Sequence, residues 1–190
     1  YNVHYSKTSI TLSFNSICDC DCDELLERLY SDLRSFSNWG RNSVASLTIS
    51  GDIASFRPSL GLIRSVASGV ALNDSNWRVR LSNDTSTHCV SARTLDDHPL
   101  VGVRKWCASL SKQEAICNIT LTTEAYERPR NGMNFLGGAF GGGRDDQRLI
   151  WEIYLGNIAN AYKNDCRFLS SQGGAPVQRD TGSNVNPWAP

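Results

Sequence analysis

The chain has 190 residues, 40% of them hydrophobic, with 19 Lys plus Arg against 19 Asp plus Glu. Zero net charge argues against a polyanion binder, which carries a basic excess, so no nucleic-acid partner is expected. The length suits one domain that folds on its own core, and no apolar run approaches the ~20 residues of a membrane-spanning helix, although contact with a membrane surface stays compatible.

Residues 8–17 alternate apolar and polar at Ile10, Leu12 and Phe14, the pattern of a half-buried strand. Asp19, Asp21 and Asp23 offer helix N-caps, and Leu25, Leu26, Leu29, Leu33 and Phe36 follow at helical spacing. Residues 44–49 alternate again and close at Gly51. A second helix is predicted over 58–70, with Leu60, Ile63, Val66, Ala67 and Val70 on one face. In 76–82, Trp77, Val79 and Leu81 alternate with Arg78 and Arg80, a strand with two cations on its outer face. Residues 83–99 read as a loop around Cys89. Leu100, Val103, Trp106, Cys107 and Leu110 then predict a third helix. Residues 115–122 form the strongest strand pattern. A Gly-rich hinge over 136–144 leads to a last helix bearing Leu149, Ile150, Ile153, Tyr154, Ile158 and Tyr162. Residues 170–190, poor in apolar groups, predict a disordered tail.

Strand, helix, strand, twice over, predicts an α+β fold with helices packed on one antiparallel-leaning sheet. This is an α/β sandwich of two βαβ-like units, a single disulfide-stabilised domain over 1–168 with a flexible C-terminal tail over 169–190.

Seven cysteines set the compartment. Cys18, Cys20 and Cys22 precede the first helix, and Cys89, Cys107, Cys117 and Cys166 fall about one per later element. That distribution reads as a disulfide framework in an oxidising compartment, with one thiol left over and the pairing open. Members of the first cluster are not expected to pair with one another, and each is expected to reach a distant element. A chain opening on Tyr1 predicts removal of an upstream segment such as a signal peptide. Asn73, Asn83 and Asn118 head Asn-x-Ser/Thr sequons and are candidate glycan sites in a secreted protein.

Motifs for chemistry are short. Asp19, Asp21 and Asp23 open like a calcium loop, but Glu24 stands where Gly is needed and Tyr30 where the bidentate Glu is needed. The segment reads instead as an acidic helix start, and no metal or cofactor is expected. The glycines of 137–143 match a phosphate loop in composition alone, with Asp145 and Asp146 where the phosphate charge would lie. His98 follows Asp96 and Asp97 in a Pro-bounded loop, a possible carboxylate-oriented base. Ser109 and Lys112 have the spacing of a lysine-activated serine on a helix. Trp39, Trp77, Trp106 and Trp151 read as packing groups. Arg78, Arg80, Arg104 and Lys105, joined by Arg93, make a candidate cationic binding face.

The Cys-rich, helix-on-sheet plan resembles the small α/β-sandwich proteins among fungal killer toxins and plant-pathogen effectors. The close of the last helix on Asn164, Asp165 and Cys166 is similar to that of some yeast killer-toxin subunits, and the Tyr1 start suits release by a dibasic-cleaving protease. The resemblance spans 8–168 in plan and carries over no catalytic residue. It implies a secreted, extracellular, non-enzymatic toxin or effector acting on a host or competitor cell-surface or extracellular protein. The alternative is a secreted hydrolase using the His98 loop.

Overall fold

The computed structural model describes residues 3–16, 21–36, 44–58, 77–98, 100–130 and 143–181. Among them the order is β1 (His4–Asn15), α1 (Cys22–Ser35), β2 (Val44–Ser50), β3 (Ile53–Pro58), β4 (Trp77–Asp84), β5 (Cys89–Thr94), β6 (Leu100–Gln113), β7 (Ile116–Pro129), α2 (Gly143–Ala161), β8 (Phe168–Gly173) and β9 (Val177–Asp180).

All nine strands belong to one sheet, ordered β2-β3-β4-β5-β6-β7-β1-β8, with β9 also pairing β1. Every pairing is antiparallel. This corrects the expectation of two βαβ-like units. A βαβ unit returns the chain to a parallel neighbour, whereas α1 carries it from β1, inside the sheet, to β2 at the far edge. Only two helices are present among the described residues, and the other described elements are strands.

The largest single correction is β6. Residues 100–110, predicted as a helix, form most of a strand paired along its length with β7, from Leu100↔Pro129 to Gln113↔Ile116. The true period is two. Arg104, Trp106 and Ala108 face the core, at 6%, 3% and 2% exposure. The predicted loop over 83–99 contains β5, which pairs β4 and β6. The predicted second helix beyond Pro58, the Gly-rich hinge before residue 143, Trp39, Cys18, Asp19, Cys20 and Asn73 lie outside the described residues.

Where local signals were strong, the elements match. Asp21 caps α1, accepting from Asp23 N at 2.9 Å, and Asp23 and Glu24 place negative charge at the helix's positive end. Phe36 closes the helix in the left-handed region, φ 53°. Leu25, Leu29 and Leu33 are fully buried against the sheet. In α2, Tyr154 and Ile158 are buried, while Ile153 is exposed. Tyr154 donates to Leu33 O at 2.7 Å and Tyr162 to Asp32 at 2.7 Å, fixing α2 beside α1. No helix among the described residues is long and apolar enough to cross a membrane.

Residues 168–180 are not a disordered tail. β8 pairs β1 from Ile10↔Gly173 to Phe14↔Phe168, and β9 pairs it from His4↔Asp180 to Lys7↔Val177. Edge strands with exposed side chains need backbone partners rather than apolar content, so composition alone does not reveal them.

Two disulfides join described residues. Cys22 at the start of α1 bonds Cys117 on β7, with Cα atoms 5.9 Å apart. Cys89 on β5 bonds its cross-strand partner Cys107 on β6, with Cα atoms 4.2 Å apart. Cys22 thus reaches a distant element, as expected. Cys166 is exposed and unbonded among the described residues.

Candidate functional site

The inner face of the sheet is covered by α1 toward β5 and β6 and by α2 toward β1 and β7. Over β3 and β4 the two helices leave a gap, and a cavity of about 60 Å³ lies there. Leu47 of β2, Ala54 and Phe56 of β3, Val79 and Leu81 of β4 and Ala92 of β5 form its apolar floor. Phe36 at the end of α1 and Trp151 of α2 wall it above, with Trp106 of β6 between them. Phe36 meets Trp106 edge-on at 5.1 Å between ring centroids, and Trp106 meets Trp151 in the same way at 5.1 Å.

A few polar groups enter this apolar space. Arg104 donates from Nη1 to Thr123 Oγ1 at 3.1 Å and from Nη2 to Ser6 Oγ at 3.4 Å. Its Nη2 lies 3.5 Å from Glu127 Oε1, and the Glu127 side chain is only 14% exposed. The guanidinium also stacks over Trp151, 4.7 Å from the ring centroid. Burial pulls the Arg104 pKa down, and Glu127 partly restores it. Guanidinium remains charged across the working pH range, so the cavity holds one buried, nearly balanced ion pair. Gly102 lets β6 lie close to β7 beside this pair: a Cβ there would collide with Tyr126 O and Glu127 Cα. Trp106 Nε1 is buried and has no hydrogen-bond partner among the described residues.

His98 lies at the other end of the cavity, 7% exposed between the rings of Phe56 and Trp77. Leu100 N donates to its Nδ1 at 3.0 Å, which places the ring proton on Nε2. Desolvation lowers its pKa from the ordinary 6.5 to about 4. The neighbouring carboxylates turn elsewhere: Asp97 pairs Arg78 at 2.6 Å and Asp96 pairs Arg130 at 3.3 Å. The predicted carboxylate-oriented base therefore does not assemble. Ser109 and Lys112 lie on a strand, where residues three apart face opposite sides; Ser109 is exposed and Lys112 reaches Asp23 at 3.0 Å.

A neutral buried imidazole gives a testable pH dependence. The unfolded chain binds a proton at His98 near pH 6.5 and the folded one only near pH 4. Stability from this site is full above pH 6.5 and is lost as pH falls toward 4. Urea unfolding should show a loss of about 2 to 3 kcal/mol between pH 7.5 and 4.5 that His98→Gln removes. Parallel curves for the two proteins would contradict it.

The four predicted binding cations do not converge. Arg104 points inward. Arg78 and Arg80 are exposed on the outer face, Arg80 pairing Asp52 at 3.3 Å. Lys105, with Arg80 and Arg93, borders an outer depression of about 540 Å³ that also holds Asp52, Asp84 and Glu124. Its charges are mixed, not a cationic face. Of the sequons, Asn118 accepts from Ser13 Oγ at 2.6 Å on the outer face of β7, and Asn83 is exposed on β4.

No protein-family profile matches the chain, and no curated protein matches it. Solved structures do match in fold. XoxI from Bacillus cereus has a TM-score of 0.50 at 12% identity, covering 84% of this chain and 96% of its own. An uncharacterised protein from Bacillus thuringiensis has a TM-score of 0.50 at 10% identity, covering 83% and 98%. Norcoclaurine synthase from Thalictrum flavum, solved as a point mutant with a transition-state analogue, has a TM-score of 0.50 at 8% identity, covering 86% and 99%. These likenesses show the fold alone, the helix-grip arrangement in which a long C-terminal helix closes over an antiparallel sheet.

Proposed function

We propose that the chain binds a small, mainly apolar molecule between α2 and the sheet. One observation carries the reading: an apolar, aromatic-walled cavity of about 60 Å³ with a few polar groups in its wall. A lining that is mostly apolar and aromatic with a few polar groups is the composition of small-molecule sites. The helix-grip fold supports it, since norcoclaurine synthase, similar in fold, is described in complex with a transition-state analogue. Two disulfides are compatible with an extracellular setting. There the chain acts as a secreted effector by sequestering a small molecule of the host or competitor cell, without chemistry on it.

The test is a fluorescence titration with the neutral probe N-phenyl-1-naphthylamine. The wild type should bind it saturably with one site. Ala92→Phe, which fills the cavity from β5, should weaken binding by about tenfold or more. Equal binding by the two proteins would remove the cavity from the account.

A further inference from the structure

The outer face of the sheet carries a site independent of the cavity under α2. We infer that the depression over β4 to β7, about 540 Å³ in volume, binds a small zwitterion of the α-amino acid type with an apolar side chain. Lys105 receives its carboxylate and Glu124 its ammonium.

Strand register builds the floor of this depression. Outward-facing positions of β5, β6 and β7 stand in two neighbouring rows, Arg93, Val103 and Tyr126 in one and Ser91, Lys105 and Glu124 in the other. All six line the depression. Lys105 and Glu124 are half-buried and directly opposed, which sets their Cβ atoms roughly 5 Å apart. Yet no ion pair joins them. Glu124 is held instead from β1, accepting from the Tyr5 hydroxyl at 3.2 Å, and Lys105 has no hydrogen-bond or ion-pair partner among the described residues. Charges on the rim are engaged elsewhere. Arg80 pairs Asp52 at 3.3 Å, and Asp84 is held by its own turn, accepting from Ser86 Oγ at 2.6 Å and Thr87 Oγ1 at 2.7 Å. An ammonium and a carboxylate therefore stand side by side unjoined, next to the pair formed by Val103 and the Tyr126 ring.

Charge decides what fits. The lining carries three cations, Arg80, Arg93 and Lys105, and three carboxylates, Asp52, Asp84 and Glu124. A simple anion or cation meets as many like charges as opposite ones. A neutral molecule leaves Lys105 and Glu124 without counter-ions. A ligand with adjacent carboxylate and ammonium satisfies both through charge-assisted hydrogen bonds and adds no net charge. Arg93, diagonal to Lys105 across β5 and β6, adds positive charge on the carboxylate side. Val103 and Tyr126 receive the apolar side chain.

The test is a ¹H–¹⁵N titration of the full chain with three probes that share a phenyl ring: L-phenylalanine, 3-phenylpropionate, which lacks the ammonium, and 2-phenylethylamine, which lacks the carboxylate. L-phenylalanine should bind about tenfold or more tighter than either analogue. Lys105→Met should bring it to within about threefold of 2-phenylethylamine, and Glu124→Gln to within about threefold of 3-phenylpropionate. Ala92→Phe, on the opposite face of the sheet, should leave the binding unchanged. Equal binding of L-phenylalanine and either analogue, binding by none of the three, or unchanged binding in Lys105→Met and Glu124→Gln would overturn the inference and leave the small-molecule reading standing. Loss of L-phenylalanine binding in folded Ala92→Phe would also overturn it, by moving the ligand to the cavity under α2.

Discussion

Replacing Cys22 and Cys117 together by alanine is expected to lower the unfolding free energy by about 4 to 5 kcal/mol. The bond joins positions 95 apart in sequence, so its loss releases a long loop in the unfolded chain. It also ties the N-terminus of α1 to β7. Cys117 is fully buried and Cys22 nearly so, so alanine also leaves a small void in the core. Replacing Cys89 and Cys107 should cost less, about 3 kcal/mol, because those residues are 18 apart and already paired across two strands. Urea denaturation of both double variants measures the difference. A larger loss for the Cys89, Cys107 variant would contradict the ranking.

Arg104→Met should cost about 3 to 5 kcal/mol, an effect of the same order from a single side chain. Methionine fills much of the volume but leaves Glu127 as a partly buried carboxylate without its cation, and it removes the contact with Trp151. Adding Glu127→Leu should restore most of the loss, because a buried pair replaced as a whole by apolar groups is often neutral or better. A double-mutant cycle in urea reads this directly. If the double variant is as unstable as Arg104→Met, the cost lies in the lost hydrogen bonds to Thr123 and Ser6 rather than in the stranded charge.

This pair also shows where sequence reasoning reached and where it stopped. α1 was legible because its signals are local: an Asp cap, an acidic first turn and leucines three and four apart. β6 was not, because Leu100, Val103, Trp106, Cys107 and Leu110 fit a helical stripe as well as a strand, and the register that decides the matter comes from β7. Reading the same residues at period two would have aligned Arg104 with Trp106, Ala108 and Leu110. It would then have exposed Arg104 as a core-facing cation rather than one of four surface charges. Trp106 and Trp151 were correctly read as packing groups, but their meeting across the cavity depends on contacts between β6 and α2 that no local pattern encodes. The strands after α2 were hidden for a different reason: at the sheet edge, backbone pairing to β1 stabilises a segment whose side chains remain exposed.

The central claim is that the space between α2 and the sheet is a ligand site. The most direct measurement is the indole N–H spectrum of ¹⁵N-labelled protein, which carries five tryptophans, titrated with N-phenyl-1-naphthylamine. The account predicts saturable shifts of the Trp106 and Trp151 signals, assigned through Trp106→Phe and Trp151→Phe. Unmoved Trp106 and Trp151 signals at probe concentrations that shift exposed backbone amides would place binding elsewhere and contradict it.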